Sequence, residues 1–134
     1  MIKFVVLLFL CTSAILFADD ADNASVYVNS SFITKFYIYS VKELNLKVNK
    51  SDTISIILWT DTGRQVNATI EVLDSTGTQI TTLHPVTDNK FPKTFIITNI
   101  DDRWYQHQIR FIVHYNKDIP NEKREILHLV LEPK

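Results

Sequence analysis

Short β-branched and aromatic runs recur along this chain, broken by polar turn clusters about every 8–12 residues. No stretch sustains the 3.6-residue period of an amphipathic helix, so the sequence predicts strands and little helix. The runs fall at residues 32–41, 43–48, 53–59, 65–73, 78–83, 93–98, 104–115 and 124–132. There are only 2 glycines, Gly63 and Gly77, and both follow an aspartate in a turn context. The pattern predicts an all-β chain, an antiparallel two-sheet sandwich of seven to nine strands.

Alternation assigns faces within the runs. In 65–73, Val66, Ala68, Ile70 and Val72 point inward, while Asn67, Thr69 and Glu71 point out. Residues 78–83 close a hairpin over Gly77. Two runs are apolar on both faces. In 32–41, Phe32, Phe36 and Ile38 oppose Ile33, Tyr37, Tyr39 and Val41; in 124–132, Ile126 and Val130 oppose Leu127, Leu129 and Leu131. A strand of this kind is either covered on both sides or forms an interface. Tyr37 and Tyr39 are therefore the candidate interface residues, since tyrosine is enriched at protein contacts.

Residues 1–18 carry the three parts of a secretory signal peptide: Lys3, the apolar stretch Val5 to Leu10 continued by Ala14 to Phe17, and Ala18 before an acidic step. Cleavage after Ala18 leaves 19–134 as a single domain, with 19–41 as an N-terminal extension plus an extra strand. Removing Lys3 takes the 14 Lys and Arg to 13 against 15 Asp and Glu, so the mature charge is near −2 and its charges are scattered. Nucleic acid is not an expected partner, and no later run is long enough to span a membrane. The single cysteine, Cys11, leaves with the signal, so packing alone must hold the fold. Four sequons fit a secreted, extracellular or secretory-lumen address: Asn23-Ala24-Ser25, Asn29-Ser30-Ser31, Asn49-Lys50-Ser51 and Asn67-Ala68-Thr69.

No catalytic constellation stands out. Gly-x-Ser-x-Gly, His-Glu-x-x-His and phosphate-loop patterns are missing, and Asp101-Asp102 reads as a turn. His107 and His114 lie seven apart on one predicted strand and face opposite ways, while His84 and His128 lie on other segments. No metal and no cofactor is expected, and the chain is read as non-enzymatic.

From residue 42 onward the order of signals resembles a fibronectin type III or immunoglobulin-like domain. Leu44 to Val48 resembles the first strand, and Thr53 to Trp59 the second, which in that family carries a core tryptophan. Val66 to Leu73 resembles the third; Phe95 to Ile100 and Tyr105 to Val113 resemble the fifth and sixth, where a tyrosine often locks the corner. The resemblance implies an immunoglobulin-like sandwich. Val66 to Ser75 and Phe91 to Ile97 are also similar to the small sandwich of secretion-pilotin-like lipoproteins, and transthyretin-like domains share such strands. All three imply a sandwich, and none implies a particular function.

The resulting expectation is a secreted glycoprotein that binds another protein through a sheet face or edge, as an adhesion module, ligand or accessory subunit. Its partner is unknown, and a homo-oligomer is one form the contact can take. Two alternatives stand beside it. A carrier of a small apolar ligand needs a cavity, and an inhibitor needs a projecting loop, for which 84–92 and 116–123 are candidates.

Overall fold

The computed structural model describes residues 22–59, 68–86, 92–105, 108–115 and 121–134. The signal peptide with its cleavage point, Asn67, His107 and most of the two candidate loops lie outside the described residues.

The fold is all-β, and the described residues form nine strands in two sheets. They are β1 (Asn23–Val28), β2 (Ser31–Tyr37), β3 (Lys42–Val48), β4 (Ile54–Trp59), β5 (Thr69–Leu73), β6 (Gln79–Leu83), β7 (Lys93–Ile97), β8 (Ile109–His114) and β9 (Lys123–Pro133). One sheet runs β2-β1-β4-β7, the other β3-β9-β8-β5-β6. Every pairing is antiparallel except β3 with β9, which run parallel from Lys42 beside Leu127 to Val48 beside Pro133. The expected antiparallel two-sheet sandwich is what the strands form, with this one parallel ladder added at its edge.

The core lies between the sheets. Ala24 and Val26 of β1, Ile54, Ile56 and Leu58 of β4, and Phe95 and Ile97 of β7 are buried from one side. Ile70 and Val72, Ile109, Phe111 and Val113, and Leu127, Leu129 and Leu131 are buried from the other. Each buried Val, Leu, Ile or Phe contributes about 1.5–3 kcal/mol on leaving water, which is how the described domain coheres without a disulfide.

Three local devices shape this frame. Asn29 and Ser30 link β1 to β2 with φ of 49° and 72°, a two-residue turn of the I′ kind that suits the twist of a hairpin. No glycine marks it, and the first strand was not expected from the sequence. A bulge opposite Val26 and Tyr27 then inserts Ile33, so Thr34 and Phe36 face inward while Phe32 faces outward beside Tyr27. The expected grouping of Phe32 with Phe36 fails for that reason. A second bulge, where Phe111 pairs with Leu127 and Ile112 with Glu125, lets the consecutive Ile126 and Leu127 both be buried. β9 is therefore a central strand, not an exposed edge.

The expected long strand at 104–115 starts later. Asp101 accepts from the Arg103 amide (3.0 Å) and its carbonyl from the Trp104 amide (3.0 Å), and a 3-10 turn spans Asp102–Tyr105. This turn buries Trp104, 3% exposed, with its ring 6.5 Å from that of Phe111. Trp104 is the core tryptophan; Trp59, assigned that place by the family resemblance, is 40% exposed. The Tyr105 hydroxyl donates to the Val48 carbonyl (2.9 Å), tying the turn to the end of β3.

Candidate functional site

The two outer faces differ in character. On the four-stranded sheet, alternation opposite the core residues sends Ser25 and Tyr27 outward from β1, Ser55, Ile57 and Trp59 from β4, and Ile96 from β7. Register arranges them in cross-strand rows. Tyr37, Asn23 and Trp59 form one row; Lys35, Ser25, Ile57 and Thr94 the next; Phe32, Tyr27, Ser55 and Ile96 the third. Phe32 is 58% exposed and meets Tyr27 edge to face, with ring centroids 5.6 Å apart and planes at 71°. Tyr37 is 47% exposed. A shallow open groove of about 520 Å³ runs over this face, with Tyr27, Phe32, Ile57 and Trp59 among its walls and Asn23 and Lys35 as polar members. Lys35 is the only charged side chain in the three rows.

The opposite face is a mesh of charges. Arg110 on β8 donates to both Glu125 oxygens on β9, at 2.7 and 3.2 Å. His128 places Nε2 at 2.6 Å from Glu125 and Nδ1 at 2.9 Å from Glu43 on β3, and the Gln108 amide donates to Glu43 (2.9 Å). Arg110 first, and then His128, hold the Glu125 carboxyl below the usual range. His114 lies 3.5 Å from Glu71. The members of this mesh satisfy one another. Among the described residues no group of three or more His, Cys, Asp or Glu is placed to hold a metal, and no helix is long and apolar enough to cross a membrane.

The predicted site residues divide. Tyr37 stands on the aromatic face. Tyr39, 62% exposed, lies in the turn after β2, beyond the rows. Asn23 sits within the face, between Tyr37 and Trp59, and is only 9% exposed. Asn29 and Asn49 occupy turns at one end of the sandwich. There the Asn29 amide donates to Asp52 (2.8 Å) and its oxygen accepts from the Thr53 amide (2.9 Å), while the Asn49 backbone amide donates to the other Asp52 oxygen (2.8 Å). The Asn49 backbone amide first, and then the Asn29 side-chain amide, lower the Asp52 pKa. Sequence reasoning missed Tyr27 and the exposure of Trp59. The alternation Ile54, Ile56, Leu58 was the available signal, since it sends Trp59 outward.

Comparison with protein-family models, curated proteins and solved structures finds no match.

Proposed function

We propose that this chain is a secreted, non-enzymatic glycoprotein module that binds another protein through the outer face of its four-stranded sheet. The observation that carries this reading is the aromatic rows themselves: Phe32, Tyr37 and Trp59 remain exposed on a flat sheet almost without charge. Charge depletion with enriched tyrosine, tryptophan and phenylalanine is the composition of a contact core. Tyr39 and Val41, in the link from β2 to β3, are exposed as well. Strand order supports an immunoglobulin-like sandwich, in which the second and fifth strands share one sheet and the third, sixth and seventh the other; β4 with β7, and β5 with β8 and β9, divide that way.

The test is proximity cross-linking of the secreted protein at the surface of the cells that make it. The aromatic face predicts partners whose yield falls at least tenfold with Tyr37→Ala plus Trp59→Ala and holds with Glu71→Ala on the opposite face. Equal loss in both variants, or none in either, sinks the reading.

One observation favours a carrier as the second reading. A cleft of about 360 Å³ is lined by Leu83, Ile97 and Trp104 together with the polar Thr81, Thr98 and Asn99 and the Asp101–Arg103 ion pair, so it suits a small molecule with polar edges. Native mass spectrometry of the secreted protein would show a bound small molecule released by Leu83→Trp.

A further inference from the structure

The aromatic face contains a glycan acceptor of its own. Asn23 begins β1 and heads the sequon Asn23-Ala24-Ser25. Ala24 and Val26 are fully buried, so alternation turns Asn23 and Ser25 out into the groove. Its neighbours across the strands are Tyr37 on one side and Trp59 on the other. The acceptors at Asn29 and Asn49 differ, because both lie in turns at the end of the sandwich, clear of these rows.

Hemmed in by two aromatic residues, a sugar on Asn23 has little choice of path. The first pyranose of an N-linked glycan must leave the strand over the rings beside it. Its apolar C–H face matches the electron-rich face of an aromatic ring, and Ser25 and Lys35 in the next row offer polar partners for hydroxyl and acetamide groups. A neutral sugar also suits a surface whose rows hold a single charge.

We propose that this groove seats the first N-acetylglucosamine of a glycan on Asn23, so that glycosylation there closes the aromatic face to protein partners. The proposal rests on the secreted-glycoprotein reading and gives its binding face a means of regulation. The linkage forms before the strand is folded, from an oligosaccharide carried on a lipid pyrophosphate. Asn23 Nδ2 bonds to the anomeric carbon of the first sugar. The bond from that carbon to the pyrophosphate breaks, the lipid pyrophosphate leaves with the electron pair, and the amide proton passes to a base. One N–H remains on the side chain. Chains that escape modification keep an open face; modified chains carry it covered.

The experiment uses the full chain secreted from a eukaryotic cell. Site occupancy is read by mass spectrometry after enzymatic release in heavy-oxygen water, with fragmentation to separate Asn23 from Asn29. The glycan is then shortened to a single N-acetylglucosamine or removed entirely, and binding of a hydrophobic dye is compared. Occupied Asn23, dye binding unchanged with one sugar left, and a rise of threefold or more on full removal are the expected results. Full removal should also shift Trp59 emission to longer wavelength, with Trp59→Phe abolishing the shift. Ser25→Ala, which erases the sequon and leaves Asn23 in place, should reproduce the rise; if that variant is not secreted, the enzymatic comparison stands without it. Glycans on Asn29 or Asn49 with Asn23 empty would overturn the proposal and leave the glycoprotein reading intact. Occupied Asn23 with no change on full removal overturns it as well. A secreted chain without any glycan overturns both.

Discussion

Ser30 sits at φ 72°, in the left-handed region where a Cβ is costly, at the second position of the β1–β2 turn. Ser30→Gly converts the turn to Asn-Gly and leaves the sequon at Asn29 intact. It should stabilise the domain by about 0.5–1 kcal/mol, seen as a melting point a few degrees higher. Tyr105 offers the opposite case. Its hydroxyl is the link between the 3-10 turn and Val48. Tyr105→Phe should cost about 1 kcal/mol in a urea titration, because the bond is lost and the ring is kept. The two tryptophans separate packing from recognition. Trp104→Ala should cost about 3–5 kcal/mol by opening the core, whereas Trp59→Ala should cost about 1 kcal/mol or less and weaken partner capture. A Trp59 variant that unfolds as readily as the Trp104 variant would place Trp59 in the core after all.

At the scale of elements, the strands that could be read were those where alternation met a recognisable turn. β5 and β6 are joined as expected, with Gly77 at φ 87° and Asp74 accepting from the Thr76 and Thr78 amides (both 2.9 Å). β1 was missed because its β-branched and aromatic run, Val26-Tyr27-Val28, is only three residues long, and its turn depends on Asn29 rather than glycine. The two runs apolar on both faces had different physical causes that a face count cannot separate. β9 is covered on both edges and bulged, so its extra apolar residue goes inward. β2 is an edge strand, and its bulge sends Phe32 outward. Only Tyr37 of the two candidate tyrosines joined the face because β2 ends at Tyr37 and Tyr39 falls in the turn that follows. An edge of this composition invites pairing with another chain, and Lys35 is its one charge. Lys35→Val should therefore raise the apparent mass in light scattering at concentrations where the parent protein gives a constant value.

For the whole molecule, the described carboxylates set the response to acid. Arg103 holds Asp101 low, the Thr76 hydroxyl and its neighbouring amides hold Asp74 low, and Asp52 and Glu125 are held low by the bonds given above. A carboxylate whose folded pKa is depressed binds its proton more readily in the unfolded chain. Its stabilisation is present above the ordinary pKa of about 4 and is lost as pH falls below it. Asp52→Asn should lower the urea midpoint at pH 7, and the gap to the parent protein should narrow progressively as pH falls below about 4; a gap that stays constant would remove Asp52 from this account. The parallel pairing of β3 with β9 has a mechanical consequence. Tension entering at Lys42 and leaving at Pro133 pulls the two strands past each other lengthwise, so every bond of that ladder is loaded at once. Tension across the open end of an antiparallel hairpin breaks its bonds one at a time. A module fastened at those two points would hold under a stretching load and give way abruptly, which is how a tether behaves.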